Sequence, residues 1–344
     1  MGVRSAAGST HSCDGGHYIP MSDASNPSST PRTRLAPSPT GDLHLGNART
    51  FLFNWALARR EGWTIVLRHE DLDAARGSRR TCLDIESSLS WLGLDWDEGP
   101  HHQSDDLSPY LDAMRRLAAD GRVFRSELSR REIRDAIGAP HAGGELRFPA
   151  ALRPAADQWN FTNPNAGHRM TMDPGPETVE DELQGVHRFD PAAEAGDLVV
   201  WTRDGAPGYQ LAVVVDDLRH GITDVVRGDD LLPSAARQQR IARALGTARP
   251  PRWWHLPIVH DAEGRRLAKR DGDHGLNGLR AAGVSADRIV GLLLHVSGIV
   301  EDRGPRSASE AIRLLDRDAM RTLVDRERRV PCRLEPEDLA WLRS

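Results

Sequence analysis

The sequence predicts an α/β fold built on a parallel sheet, interrupted in its middle by an inserted lobe and closed by a mostly helical C-terminal segment. Three observations predict it. TRLAPSP, ARTFLFNWALARREG and WTIVLRHED read in turn as strand, amphipathic helix and strand, a unit that implies parallel pairing. Periodicity then weakens over residues 122–196, where Pro, Gly and loop signals accumulate, as in an insertion. Strand-like runs return from Asp197. The expected division is a disordered extension at 1–32, two halves of a nucleotide-binding domain at 33–121 and 197–248, the inserted lobe at 122–196, and a final segment at 249–344.

The extension is rich in Ser, Gly, Asn and Pro, without hydrophobic period or the apolar core of a secretory signal. MGVRSA lacks the Ser or Thr of a myristoylation site, and Met21 is a second candidate start. The first strand is closed by Pro37 and Pro39, a Gly-punctuated turn TGDLHLGN follows, and Gly62 is placed to cap the first helix. RRTCLDIESSLSWLGLD and SPYLDAMRRLAADG predict two more helices, the second capped by Ser108 or Pro109. DLVVWTRDG to GYQLAVVVDDLRHG has strand character, with LAVVV expected as a buried central strand. TDVVRGDDLLPSAARQQRIARALG reads as strand, loop and helix, and short helices follow residue 250.

A net charge of −5 with 28% charged residues argues against a purely electrostatic nucleic-acid binder, though not against a local basic patch. Nowhere does an apolar run approach the roughly 18 residues that span a bilayer. Cys13, Cys82 and Cys332 lie far apart, so neither a disulfide framework nor a four-cysteine metal site is supported, and a reducing cytoplasm is expected.

Two stretches carry chemistry. Lys269, in RRLAKRDGD, is the single lysine among 45 basic residues. Lysine differs from arginine as a compact, flexible point charge that can reach a phosphate. In PSPTGDLHLGNART a strand ends, glycines let the backbone approach something closely, and His44 stands before a helix N-terminus, where free N–H groups attract phosphate. On turn chemistry alone, a strand-to-helix turn with a solvated His44 is the commoner reading.

Four segments in order resemble the class I aminoacyl-tRNA synthetases of the glutamyl and glutaminyl branch: RLAPSPTGDLHLGNAR, HEDLDAAR, GYQLAVVVDDLRHGITDVVRGDDLL and RLAKR. The resemblance spans about residues 33–295 and implies a Rossmann-type sheet. It implies ATP as substrate, with Mg2+, and L-glutamate activated by in-line attack of its carboxylate on the α-phosphate. His44, Asn47 and Lys269 would then be catalytic through the phosphates, with Gly46 leaving room for adenosine and Arg266 keeping the charge of a family lysine. Arg34 and Arg227 would meet carboxylates and Glu70 the amino group, while Tyr209 and the run Leu35, Ala36, Pro37 and Ser38 shape the pocket. Taken singly, Glu70 or Arg227 is more often a structural ion-pair member and Tyr209 a core residue.

The chain ends at residue 344, too soon after Lys269 for the long anticodon-reading domain of a glutamyl-tRNA synthetase. The short form resembles the subfamily that attaches glutamate to queuosine in the anticodon loop of tRNA(Asp). A truncated synthetase charging an ordinary acceptor end, or a binding module without catalysis, are the alternatives. A monomer is expected. VFRSELSRREIRDAIGAPH matches a run of that subfamily but departs from it: where many members carry zinc ligands, this chain has Ser126, Leu128, Phe148 and Leu152, so no zinc is expected there. His101, His102 and His141 read as solvated. Arg122, Arg125, Arg130, Arg131 and Arg134 form either an RNA-facing stretch or a solvated helix face.

Overall fold

The computed structural model describes residues 30–73, 77–137, 146–247, 249–267 and 275–344. Strand β1 (Arg32–Leu35), helix α1 (Leu45–Glu61) and strand β2 (Thr64–His69) form the expected unit, and β1 pairs with β2 in parallel, Arg34 opposite Val66. Gly62 caps α1 in the left-handed region, φ 70°, with its N–H bonded to the Ala58 carbonyl. Helix α2 (Arg79–Trp91) leads to β3 (Glu98–His102), parallel to β2. The β3 sequence EGPHH has no apolar alternation, which is why the sequence reading passed over it. Helix α3 (Ser108–Ala119) follows, its N-cap being Leu107 rather than the expected Ser108 or Pro109, which lie in its first turn.

The inserted lobe is an antiparallel sheet of β4 (Val123–Arg125), β5 (His168–Met170) and β8 (Leu198–Trp201), with α4 (Arg130–Ile137) beside β4 in sequence. Between β5 and β8 the chain leaves the lobe. There β6 (Glu177–Asp181) and β7 (Gly185–Phe189) form a hairpin, α5 (Pro191–Glu194) follows, and β6 pairs with β10 (Arg252–Leu256) of the main layer. Sheet membership therefore does not change at residue 196: β6 and β7 lie before it and β8 after it.

The run LAVVV is not a strand. Leu211 to Val215 lie in helix α6 (Tyr209–Arg219), and all five are buried. A short unbroken apolar run has no period, so it cannot separate a buried helix from a buried strand. Here α6 packs between α3 and α7 (Leu232–Ala244), and that burial outweighs the small helix penalty of the valines.

Strand β9 (Asp224–Gly228) pairs in parallel with β10 and lies beside β1. The Thr223 N–H bonds the Arg32 carbonyl at 2.9 Å, and Arg34 Nη1 reaches the Val226 carbonyl at 3.4 Å, so the two strands run the same way. Two sheets, β3-β2-β1 and β9-β10-β6-β7, thus meet side by side along β1 and β9, and read as one layer the order reverses between those two strands. In open α/β sheets the crevice beyond the carboxyl ends at such a reversal is where ligands bind.

The C-terminal helices α8 (Leu276–Ala281), α9 (Ala286–Val296), α10 (Ala308–Leu314), α11 (Arg317–Glu327) and α12 (Pro336–Arg343) extend one core with α1, in which Leu52, Phe53, Leu292, Leu293, Met320 and Leu323 are buried. Buried Arg49 fastens α1 to them, with Nε on Ser297 Oγ at 2.7 Å and Nη2 on Glu327 Oε1 at 2.5 Å. No helix among the described residues is long and apolar enough to cross a membrane.

Candidate active site

The N-terminus of α1 opens at the end of β1. His44 is its N-cap, with Nδ1 accepting from the Asn47 N–H at 3.3 Å while Asn47 Oδ1 accepts from the His44 N–H at 3.4 Å. This reciprocal cap makes Nε2 the protonated nitrogen in the neutral ring and fixes the imidazole over the helix end. Gly46 leaves that ring room: a Cβ there would stand a tight 3.1 Å from His44 Cε1 and Nδ1. Lys269 lies outside the described residues, but both stems of its segment do not. Gly275 bridges to His44, Leu276 donates to the Leu43 carbonyl at 2.8 Å, and Leu267 Cδ1 lies 3.6 Å from that same Cβ position. Arg266 is ion-paired with Asp230 at the near stem.

Cations gather where the strand order reverses. Arg34 on β1 is 5% exposed and Arg227 on β9 is 6% exposed. Arg34 has an acidic neighbour, Asp217, with Nε 3.4 Å from Oδ1, yet that Nε has no hydrogen-bond partner among the described residues. Arg227 is held entirely by neutral groups: Nε donates to His255 Nε2 at 2.9 Å, Nη1 to Gln238 Oε1 at 2.9 Å, and Nη2 to the Leu231 carbonyl at 3.2 Å. Its guanidinium also stacks over Trp253 at 4.9 Å. Burial, with Arg34 nearby, lowers its pKa to about 10 despite Tyr209, Asp217 and Glu70. A buried guanidinium with no carboxylate in ion-pair range among the described residues carries a desolvated charge that an anion could compensate.

Glu70 stands at the end of β2, its N–H bonded to the Pro37 carbonyl at 3.0 Å, which ties the β1 and β2 ends together. Burial lifts its carboxyl above the ordinary range, against the pull of Arg68 and Arg34. Arg68, fully buried, donates to Asp217 at 2.7 Å and to Glu70 at 3.2 Å. Burial opposes its charge, but Asp217, Glu70 and Asp216 together hold the proton more firmly than usual. Tyr209 opens α6 and is 44% exposed, so it belongs to a rim rather than the core. Burial raises its hydroxyl pKa to about 12, with Glu70 adding to the shift and Arg227 and Arg34 opposing it. Leu35 and Pro37 are buried, Ala36 is half-buried and Ser38 exposed along the same edge.

The family model described as tRNA synthetases class I (E and Q), catalytic domain, matches residues 31–290. The chain belongs to this family. Among curated relatives, a glutamyl-Q tRNA(Asp) synthetase of Symbiobacterium thermophilum is 40% identical over 90% of this chain and 97% of its own length. One of Nitratidesulfovibrio vulgaris is 39% identical over 83% and 91%. A glutamate–tRNA ligase of a Synechococcus strain is 35% identical over 91% of this chain and 65% of its own length. The fold is shared with a glutamate-tRNA synthetase of Elizabethkingia anophelis, TM-score 0.74 at 23% identity over 91% of this chain and 70% of that one.

Of the four positions where no zinc is expected, Leu128, Phe148 and Leu152 are hydrocarbon and Ser126 carries only a hydroxyl. Phe148 is buried against Phe124 and Ile133, with Leu152 and Trp159 packed on them, and Arg169 stacks on the Phe148 ring at 4.3 Å. Such a cluster offers a metal no donor and consolidates the lobe by packing. Arg122 and Arg125 pair with Asp173 and Glu127, and Arg131 lies 3.8 Å from Asp135, so three of the five arginines of this stretch have acidic partners. His141 lies outside the described residues, and His101 is exposed and stacked on His220. His102 is not solvated as expected: its ring stacks on buried His69 and its Nδ1 lies 3.3 Å from Asp71 Oδ2.

Sequence reasoning missed the support behind Arg227. His255 Nδ1 donates to Asp181 Oδ2 at 2.6 Å, leaving Nε2 to accept from Arg227. Burial above all, with Arg227 adding to it, depresses the His255 pKa to about 4, so the ring is neutral and acts as an acceptor. A histidine with a depressed folded pKa contributes stability that is present above its unfolded pKa of about 6.5 and is lost as pH falls toward the folded value. We therefore expect the stability gap between wild type and His255→Gln to narrow by up to about 3 kcal/mol between pH 6.5 and 4. Urea unfolding at a series of pH values measures it; a pH-independent gap would remove the neutral-acceptor role.

Proposed function

We propose that this chain activates L-glutamate with MgATP to a glutamyl-adenylate and transfers the glutamyl group to the queuosine base of tRNA(Asp). The observation that carries the glutamate reading is Arg227, buried and without a carboxylate partner among the described residues, beside the under-satisfied Arg34. A dicarboxylate amino acid supplies what this space lacks. Its carboxylates answer Arg227 and Arg34, and its ammonium answers Glu70. Choice of the queuosine-bearing acceptor rests on the two relatives of that name, matched along 97% and 91% of their lengths.

In this reading the chain contributes position and charge rather than a nucleophile. Arg227 and Arg34 orient the amino acid so that its α-carboxylate attacks the α-phosphate and pyrophosphate leaves. The N–H groups at the start of α1, His44 and Lys269 share the charge that accumulates on the phosphates. Magnesium enters with the nucleotide rather than in a cage of its own. We place the chain in the cytoplasm, where ATP and tRNA are found, and as a monomer.

The test offers purified protein, ATP and labelled glutamate to tRNA(Asp) with and without queuosine, and to tRNA(Glu). We expect label on the queuosine-bearing tRNA(Asp) alone. Label on tRNA(Glu) would replace this reading with that of a synthetase charging an acceptor end. Absence of label and of glutamate-dependent pyrophosphate exchange would leave a binding module.

A further inference from the structure

A second cluster of donors lies on the other side of Glu70. His69 closes β2 and His102 closes β3, and the two are register partners in the parallel ladder, their rings stacked at 4.8 Å. Cys82 and Glu86 stand four residues apart on α2, the helix that connects those strands, so they share a face. Asp71 follows two residues after His69. One donor atom from each of His69, Glu86 and His102 lies within 4.8 Å of the other two, and the same holds for Asp71, Cys82 and His102. His102 belongs to both groups.

Each imidazole stands within hydrogen-bond reach of a carboxylate. His69 Nε2 shares a proton with Glu86 Oε1 at 2.9 Å, and His102 Nδ1 with Asp71 Oδ2 at 3.3 Å. His69 is fully buried, yet its Nδ1 has no hydrogen-bond partner among the described residues. Cys82 is buried as well. Ordinary packing would put hydrocarbon at the end of a buried strand. Here two imidazoles, a thiol and two carboxylates meet instead, and the glutamate pocket uses none of them.

We propose that His69, Cys82, Glu86 and His102 form a binding site for a borderline divalent cation, Zn2+ in preference to Mg2+, with Asp71 orienting the His102 ring. Mixed nitrogen, sulfur and carboxylate donors select zinc, whereas magnesium takes oxygen ligands and keeps its waters. Tetrahedral zinc with bonds of about 2.0–2.3 Å sets its donors roughly 3.3–3.7 Å apart, so the donors of each triad, now within 4.8 Å of one another, would draw together about His102, which the two triads share. Cys82 loses its thiol proton to solvent on ligation, and the neutral His69 ring carries its one N–H on Nδ1, which frees Nε2 for the metal. Asp71 also accepts from the Ser104 N–H at 2.9 Å and Oγ at 2.8 Å, which holds it in place behind His102. Since His69 and Asp71 flank Glu70, the ion pins the strand end from which Glu70 projects. This site is distinct from the lobe positions Ser126, Leu128, Phe148 and Leu152.

The experiment uses the full chain, stripped with a chelator, dialysed and titrated with Co2+ and then Zn2+. We expect one Co2+ per chain with a thiolate-to-cobalt absorption band, displacement by Zn2+ but not by Mg2+, and a thermal midpoint that rises with Zn2+. Cys82→Ser should abolish the band, and His102→Asn should weaken Co2+ binding at least tenfold, with far-UV circular dichroism confirming that both variants fold. A cobalt complex without the thiolate band, binding left unchanged in the Cys82→Ser/His102→Asn double variant, or no one-to-one binding by the folded wild type would each overturn the site. None of these readouts depends on glutamate activation.

Discussion

Replacing Arg227 by methionine is expected to lower kcat/KM for glutamate in pyrophosphate exchange by about a thousandfold, close to 4 kcal/mol. Unlike Arg34, which has Asp217 beside it, Arg227 has no carboxylate in ion-pair range among the described residues, and its hydrogen bonds go to His255, Gln238 and the Leu231 carbonyl. A substrate carboxylate placed there meets a charge that has already been desolvated and oriented, so most of the Coulombic gain is realised on binding. Arg227→Lys should recover only part of the loss, because an ammonium can neither grip His255 and Gln238 together nor present a planar fork. The free chain is the discriminating control. Burial lowers the Arg227 pKa to about 10, so the charge costs the empty fold, and removing it should not lower the thermal midpoint in proportion to activity. A variant that stays within threefold of wild type for glutamate, or one that loses stability and activity together, would make Arg227 a structural residue.

How much of this could be read from the chain alone depended on where the relevant interaction sits. The turn from β1 to α1 was legible because its determinants are local. Proline ends the strand, His44 and Asn47 cap the helix reciprocally, and Gly62 supplies the left-handed exit. Arg34, Glu70, Tyr209 and Arg227 were singled out only through motif resemblance; the structure puts Arg34 on β1, Glu70 at the end of β2, Arg227 on β9 and Tyr209 at the start of α6. Asp181 and His255 carried no such signal. They meet because β6, in the stretch expected to belong to the lobe, adds to the main layer beside β10. Non-local strand pairing of that kind leaves no periodic trace. The LAVVV error has the opposite cause: strong local β preference was overruled by packing between α3 and α7. His69 and His102 were likewise unremarkable as letters, and become neighbours only through the β2–β3 register.

Lys269→Ala is expected to slow adenylate formation by about 10²–10³-fold, the usual loss when one fixed charge stabiliser is taken from a transition state. The argument runs through the stems of its segment. Gly275 bridges His44 and Leu267 packs by Gly46, so both ends of 268–274 are anchored at the N-terminus of α1, where phosphate is drawn. Arg266 at the near stem is already paired with Asp230 and is less able to answer a new anion. The sharper experiment is Lys269→Arg, since arginine fills every other basic position of the chain. If net charge were all that mattered, arginine would serve here too. A compact ammonium can follow the leaving pyrophosphate as charge shifts, whereas a planar fork fixes two oxygens at once, so Lys269→Arg should keep nucleotide affinity and lose rate. Single-turnover adenylate formation at saturating ATP separates the two. A rate equal to wild type in Lys269→Arg would reduce the lone lysine to a charge, and a rate equal to wild type in Lys269→Ala would take it out of the reaction.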